Sequence, residues 1–219
     1  DGGLKRVSTV PMGIERNVFS PTLRSKELRA AMLERCSLGP DATLLIAVGR
    51  HAAEKRWPLV IAAATAAGAQ RAVGLIQIGG GGETSRLQRE ARANPHIQFL
   101  PPTDDRAALA AMLASADALI HGCEAETFCM VAAEARACGL PVIAPDQGGA
   151  ADQVKAGAGL TYMSGDSRSA AEAIVRFIDR SAEFRKQAGE KSGSVQNMET
   201  HFRDLFALYA TELEKSHAA

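Results

Sequence analysis

The sequence has few aromatic residues and no net charge, and each shortage excludes a class of protein. Phe, Trp and Tyr make up 5% of the 219 residues, so the core must be built from Ala, Leu, Val and Ile. Such a core favours closely packed helices over a β-sandwich. Lys and Arg total 25, and Asp and Glu also total 25, which argues against a general nucleic-acid binder. No run of 18 apolar residues is present, so we predict no membrane-spanning helix.

Cysteine is also scarce, with only Cys36, Cys123, Cys129 and Cys138. None of them forms a Cys-x-x-Cys pair, and no histidine lies at zinc-finger spacing. We therefore expect buried, reduced thiols and a reducing, cytoplasmic location.

Short apolar stretches alternate with helical patterns along most of the chain. Strands are predicted at 44–48, 73–78, 97–100, 118–120, 140–144 and 158–162, and helices at 57–67, 83–93, 105–115, 131–138, 168–180 and 199–215. A further strand is predicted at 7–10. The alternation predicts an α/β fold with a doubly wound, Rossmann-like parallel sheet and helices on both faces. Such sheets bind ligands where the strands end, so the residues that follow each strand are the candidates for a site.

A run of glycines, 79–82, follows the second strand and precedes a helix. Counting Gly-x-Gly-x-x-Gly from Gly79 puts Thr84 in the last place, and no Gly-Lys-Ser/Thr follows. The run therefore matches neither a dinucleotide fingerprint nor a P-loop. It predicts either a flexible turn or a backbone that can closely approach a phosphate or a sugar.

Two cations, Arg50 and Lys55, flank a turn after the first strong strand. Together with a helix N-terminus they could bind a diphosphate. They could equally be solvated surface charges, and Lys55 could pair with Glu54.

Two carboxylates, Glu126 and Glu134, stand eight residues apart. On one helix they would lie about 12 Å apart along the axis, beyond the roughly 5–9.5 Å of glycosidase carboxylate pairs. They could instead hold two hydroxyl-bearing parts of one long ligand, such as a nucleotide sugar. The backbone amides that would open the helix between them, and could bind an anion, belong to Phe128, Cys129 and Met130. In the alternative interpretation, Glu126 only starts the helix and Glu134 pairs with Arg136 or another surface group.

These residues carry a resemblance to a known family. Glu126-x7-Glu134, with Ala137-Cys138-Gly139, Pro141-Val142 and Gly148-Gly149 after it, resembles the signature of the retaining glycosyltransferases of family 4, which have the two-lobed GT-B fold. Gly49-Arg50 with Lys55 resembles the diphosphate clamp of that family, and 10–21 resembles its lead-in to the C-terminal lobe.

The resemblance implies one lobe of a GT-B fold that binds a nucleotide diphosphate sugar, whose sugar is transferred to an acceptor hydroxyl with retention. On this basis the catalytic residues would be Glu126, Arg50 and Lys55. The nucleotide and donor would be bound by Glu134, with the ribose, and by Gly49, Gly79, Phe99, Phe128, Cys129 and Met130. No Asp-x-Asp motif is present, and we expect neither a metal nor a cofactor. Cys129 stands where the family usually has Gly.

The chain begins at Asp1 rather than Met, and the resemblance places an acceptor-binding lobe before it. We accordingly expect 1–23 to lead in from that missing lobe, 24–195 to form the nucleotide-sugar-binding domain and 196–219 to form a C-terminal helix. Through the missing lobe the protein would reach the inner face of a membrane, and this chain alone would transfer no sugar. The sequence indicates neither the base, the sugar nor the acceptor, which could be a sugar or a lipid.

Two alternatives remain open: a non-catalytic nucleotide-binding α/β module, and a lobe of a GT-B nucleotide-sugar epimerase. Both His51 and His121 are interpreted as structural residues.

Overall fold

The computed structural model describes residues 10–217 and contains a six-stranded parallel sheet. The strands run in the order β3-β2-β1-β4-β5-β6, and every neighbouring pair is parallel. Their bounds are β1 Thr43–Val48, β2 Val73–Ile78, β3 Ile97–Leu100, β4 Ala118–Ile120, β5 Val142–Pro145 and β6 Gly159–Tyr162. This order confirms the predicted doubly wound sheet, and its topological switch point lies between β1 and β4.

The helices cover both faces of this sheet. Their bounds are α1 Lys26–Arg35, α2 Trp57–Gly68, α3 Thr84–Ala91, α4 Arg106–Ser115, α5 Met130–Ala137, α6 Gly148–Ala156, α7 Ser167–Asp179, α8 Ser181–Lys191 and α9 Met198–His217. The sequence analysis missed α1, α6 and α8. Helices α1 and α8 each bury only two residues, so they lack a strong apolar period, and α6 begins at glycines that usually mark a loop.

The core consists of two apolar layers, one on each side of the sheet. Because side chains alternate across a strand, β1 supplies both layers. Leu44 and Ile46 pack in the layer of α1, α4 and α5, and Leu45 and Ala47 pack in the layer of α2, α3 and α7. Strand β1 is therefore buried on both faces, and it anchors the start of the loop that follows it.

The predicted strand at 140–144 begins two residues later than expected, because its first residues complete the end of α5. Gly139 has φ +65, its amide donates to the Arg136 carbonyl at 2.9 Å, and the Leu140 amide donates to the Ala135 carbonyl at 2.9 Å. This pattern is a Schellman helix end, which requires a left-handed residue and favours glycine there.

The first described segment lies beside the start of α9. Ile14 pairs with Asn197 in a parallel bridge, and the Met198 amide donates to the Ile14 carbonyl at 3.1 Å. The predicted strand at 7–10 lies almost entirely outside the described residues, and Val10 is not in a strand. The division into 1–23, 24–195 and 196–219 stays a prediction. None of the helices between residues 10 and 217 is both long and apolar enough to cross a bilayer.

Candidate nucleotide-binding cleft

A cleft of about 480 Å³ opens at the switch point, between the loops that follow β1 and β4. Most of the site residues expected from the sequence line it: Gly49, Arg50, Lys55, Glu126, Phe128, Cys129, Met130 and Glu134. The two predicted cations and the two predicted carboxylates thus share one cleft, although they come from distant parts of the chain.

The two cations occupy different environments. Arg50 is held through its backbone, because the Trp57 indole N–H donates to its carbonyl at 2.7 Å. Its guanidinium is 77% exposed and pairs with Glu54 at 3.0 Å. Lys55 ends a short 3-10 turn, its side chain is only 18% exposed, and its Nζ pairs with Glu126 Oε1. The alternative pairing of Lys55 with Glu54 is therefore wrong, and Lys55 reaches across the switch point instead.

Glu126 receives two donors. His121 Nε2 lies 3.2 Å from Glu126 Oε1, the same oxygen that Lys55 contacts. The hydrogen bond from His121, followed by the contacts with Lys55, lowers the pKa of Glu126 to about 2 although burial acts to raise it. An ionised carboxylate only accepts hydrogen bonds, so His121 Nε2 must carry the proton that it donates. Glu126 is therefore a preformed, ionised acceptor at the mouth of the site.

His121 is a residue of the cleft that the sequence analysis interpreted as merely structural. It is 1% exposed, its ring packs edge-on against Trp57, and the Tyr162 hydroxyl donates to its carbonyl at 2.6 Å. Its position one residue after β4 was a usable signal, because residues at that place face the ligand in doubly wound sheets. The other histidine, His51, is buried and bonded to Thr84 at 2.8 Å, which agrees with a structural role.

Glu134 is buried in α5 and its partner comes from α4. Arg106 Nη2 donates to Glu134 Oε1 at 3.1 Å, and Arg106 Nε also pairs with Glu15 at 2.8 Å. The alternative pairing with Arg136 is wrong, since Arg136 donates instead to Gln153 at 2.5 Å. Burial raises the pKa of Glu134, and the charge of Arg106 opposes that rise. The sequence analysis did not identify Arg106, because it stands at the first position of α4 and not in the loop that follows β3.

Glu126 lies in the loop before α5 rather than on the helix, so helical spacing does not set its distance from Glu134. Helix α5 begins at Met130, and Cys129 caps it in the left-handed region at φ 64. The first backbone amides of a helix have no partner within the helix, and those at Met130 and Val131 stand at the wall of the cleft. This end of α5 can therefore donate to an anion.

The loop that carries Glu126 is supported by α6. The Gly149 amide donates to the Glu126 carbonyl at 2.7 Å, and Gln153 Nε2 donates to the Phe128 carbonyl at 3.1 Å. A Cβ at Gly149 would lie 2.6 Å from the Thr127 carbonyl oxygen, so only glycine permits this approach. Gly149, from the Gly148-Gly149 pair that resembles the family signature, thus lets α6 pack closely against the loop that carries Glu126.

A second cleft of about 220 Å³ adjoins the first and shares Val48, Gly49 and Arg50 with it. Gly79 and Gly80 line it together with Pro102 and Thr103 from the loop after β3. A Cβ at Gly79 would collide with the carbonyl oxygen of Gly49, so this glycine lets the loops after β1 and β2 meet. In this way the glycine run shapes the wall of a site.

Phe99 is the predicted site residue that lines neither cleft. Its ring packs edge-on against His51, with the ring centroids 5.9 Å apart, and it lines a third cleft of about 310 Å³ together with Gly79 and Gly80. The turn after β3 does reach the second cleft, but through Pro102 and Thr103.

The fold and the cleft define a class of protein. A doubly wound sheet whose switch point carries cations, a free helix N-terminus and buried acceptors is a nucleotide-binding α/β domain. Residues 34–194 match the family model described as glycosyl transferases group 1, and the chain belongs to this family.

Two curated relatives are similar in sequence. The chain is 37% identical over 153 residues to a GDP-mannose-dependent alpha-mannosyltransferase of Mycobacterium tuberculosis, covering 69% of this chain and 37% of that protein. It is 33% identical over 202 residues to D-inositol 3-phosphate glycosyltransferase 2 of Catenulispora acidiphila, covering 84% of this chain and 46% of that protein. The chain therefore spans less than half the length of these relatives.

Solved structures show the same fold. Sucrose-phosphate synthase of Thermosynechococcus elongatus is 25% identical with a TM-score of 0.77, over 94% of this chain and 52% of that one. Anabaena Alr3699/HepE in complex with UDP and glucose is 20% identical with a TM-score of 0.75, over 91% of this chain and 55% of that one. These likenesses confirm the predicted fold class, one lobe of a GT-B fold.

Proposed function

We propose that this chain is the donor-binding lobe of a retaining glycosyltransferase that transfers a sugar from a nucleotide diphosphate sugar to an acceptor hydroxyl. The observation that carries the proposal is the single cleft in which Arg50 and Lys55 face Glu126 and Glu134. The cations can bind the negatively charged diphosphate, and the carboxylates can accept hydrogen bonds from the sugar and ribose hydroxyls on either side of it.

When a donor binds, its diphosphate would replace Glu126 as the partner of Lys55. In the free chain the charge of Lys55 is matched by Glu126, and Arg50 pairs with the exposed Glu54. Phosphate oxygens would draw Lys55 and Arg50 to the donor and release Glu126 to accept hydrogen bonds from hydroxyls of the sugar. The backbone amides at the start of α5 would also donate hydrogen bonds to the phosphate oxygens.

The nucleoside would lie over the adjoining cleft at Gly79, with Glu134 accepting from the ribose hydroxyls. Glu134 is suited to this task because Arg106 occupies one of its oxygens, Oε1, and fixes the carboxylate. Two similar proteins suggest which bases to test. One relative is named as GDP-mannose-dependent, and one structural neighbour is a complex with UDP and glucose.

The reaction would need no metal, because two cations are available to stabilise the charge that develops on the departing diphosphate. The acceptor, a sugar or a lipid, would be bound by a preceding lobe, and this chain alone would transfer nothing. Four free, buried cysteines agree with a reducing compartment, and we place the protein in the cytoplasm, where the missing lobe would contact the membrane.

The first experiment is a calorimetric titration of the 219-residue chain with GDP, UDP, GDP-mannose and UDP-glucose, with guanosine and uridine as controls. At least one diphosphate should bind with a dissociation constant of about 10⁻⁶–10⁻³ M, and its nucleoside should bind more weakly. Absence of binding by all four diphosphates would contradict the proposal.

The alternatives are separated by activity of a longer chain that carries the preceding lobe. Sugar transfer to an acceptor supports the transferase. Nucleotide binding without turnover favours the non-catalytic module, and interconversion of nucleotide sugars without an acceptor favours the epimerase.

A further inference from the structure

Three potential metal ligands of different chemistry converge beside the cleft: His121, Glu126 and Cys129. A ring nitrogen, a carboxylate oxygen and a thiol sulfur all lie within 4.8 Å of one another. His121 and Cys129 are buried, at 1% and 3% exposure, so these groups meet inside the protein and not by chance on its surface.

The spacing is close to what a tetrahedral zinc site requires. Zinc bonds of about 2.0–2.3 Å place neighbouring ligand atoms roughly 3.3–3.8 Å apart. His121 Nε2 and Glu126 Oε1 are already 3.2 Å apart. The sulfur of Cys129 need move inward by no more than about 1.5 Å, which a side-chain rotation provides.

The backbone holds Cys129 in place at a cost. Its φ of 64 is a left-handed conformation that disfavours residues other than glycine. The thiol keeps its proton in the free chain, because burial raises the pKa of Cys129 to about 12. A metal ion deprotonates a thiol that coordinates it, and the thiolate is the form of cysteine that binds metals.

His121 is equally well fixed. The Tyr162 hydroxyl donates to its carbonyl at 2.6 Å, and the Trp57 ring packs against its imidazole edge-on. Fixed ligands are what a metal site needs, because each ligand that is ordered beforehand lowers the cost of binding.

We propose that His121, Glu126 and Cys129 form a zinc-binding site that inhibits the donor site. On binding, the thiol proton of Cys129 passes to solvent, and His121 takes the tautomer with its proton on Nδ1, so that Nε2 can bind the metal. Glu126 exchanges Lys55 for the metal, and the fourth position of zinc faces the cleft. The mixed nitrogen, oxygen and sulfur donors select zinc over magnesium, which prefers oxygen alone. Zinc binding is independent of the proposed function, whereas the inhibition rests on it.

The test uses cobalt(II) as a spectroscopic probe for zinc, with the reduced 219-residue chain and no nucleotide present. We expect a thiolate-to-cobalt charge-transfer band that zinc abolishes by competition and magnesium does not. Cys129→Ser should lose the band, and His121→Ala should weaken cobalt binding at least about 10-fold. Cys138→Ser is the matched control and should keep the band, because Cys138 is equally buried but lies at the other end of α5.

Several outcomes would overturn the site: no band in the parent chain, a band that survives in Cys129→Ser, or equal loss in the Cys138→Ser control. Cys129→Gly, which suits the positive φ, shows by circular dichroism whether loss of the band reflects a lost ligand or a lost fold. The inhibition is tested separately with whichever nucleoside diphosphate binds. Zinc should weaken its binding at least about 10-fold in the parent and not in Cys129→Gly, and equal weakening in both would overturn the inhibitory role.

Discussion

Lys55 and Glu126 form an ion pair that bridges the switch point of the sheet, joining the loop after β1 to the loop after β4. Both side chains are largely buried, at 18% and 19% exposure, and His121 donates to the same carboxylate. The pair joins two loops that the Arg56–Glu124 ion pair also connects, and it brings two oppositely charged groups together in the cleft.

The ion pair should make stability depend on pH in the acidic range. The pKa of Glu126 falls from 4.5 to about 2, so its contribution is present above pH 4.5 and is lost as the pH falls through about 2. We expect the difference in unfolding free energy between the parent and Glu126→Gln to be constant near neutral pH and to shrink below pH 4.5. Urea titrations at several pH values measure this, with exposed Glu172→Gln as control. A difference that does not change with pH would contradict the role of the ionised carboxylate.

Loss of the buried carboxylate at Glu134 should weaken nucleotide binding. A charge-assisted hydrogen bond contributes about 1.5–3 kcal/mol, so Glu134→Ala should raise the dissociation constant roughly 10- to 150-fold. Calorimetry with a nucleoside diphosphate measures the effect, and Glu172→Ala on the exposed face of α7 is the control. Equal affinity of Glu134→Ala and the parent would remove Glu134 from the ribose site.

Removal of either cation should affect diphosphates and spare nucleosides. Arg50→Ala and Lys55→Ala each delete a partner of the phosphate charge, so only ligands that carry phosphate should bind more weakly. The binding of the parent should also fall with salt. Lys155→Ala removes a cation that is 71% exposed and pairs only with Asp152 among the described residues, so it should bind as the parent does. If both cleft mutants lose nucleoside and diphosphate equally, the two cations are structural.

Replacement of Cys129 by glycine should cost little stability. The change removes a buried thiol and adds freedom to the unfolded chain, but it relieves the left-handed strain of about 1–2 kcal/mol. At Cys138, where the backbone is not left-handed, the same change brings only losses. We therefore expect Cys129→Gly to be more stable than Cys138→Gly by about 1–2 kcal/mol in urea unfolding. Equal stabilities would show that Cys129 is unstrained.

The chain alone should bind donor and transfer no sugar. The two clefts are lined by Met12 and by residues between Val48 and Glu134, and the proposal assigns the acceptor to a preceding lobe. Positioning two substrates together can lower a barrier by about 7–11 kcal/mol, and one wall cannot supply this. Product formation is measured with the 219-residue chain and with a longer chain that carries the preceding lobe. Comparable turnover by the two would contradict the prediction.

The C-terminal helix α9 carries an apolar stripe that is exposed. The stripe consists of Phe202, Phe206, Tyr209 and Leu213. The helix joins the lobe through its first residues, where the His201 ring lies 2.7 Å from the Pro11 carbonyl oxygen.

The sequence by itself determined the doubly wound sheet and most of the cleft. Local apolar runs with glycine at their ends define parallel strands, and ligands bind where such strands end, so Arg50, Lys55 and Glu126 could be named from their positions alone. Only the tertiary structure decided the partners of these residues. Lys55 and Glu126 are 71 positions apart, and Arg106 and Glu134 are 28 apart. Such pairs depend on how helices and loops pack across the sheet, and no local pattern records them. For the same reason the sequence did not show that His121 donates to Glu126, because the direction of a side chain at a loop is set by the neighbours it meets.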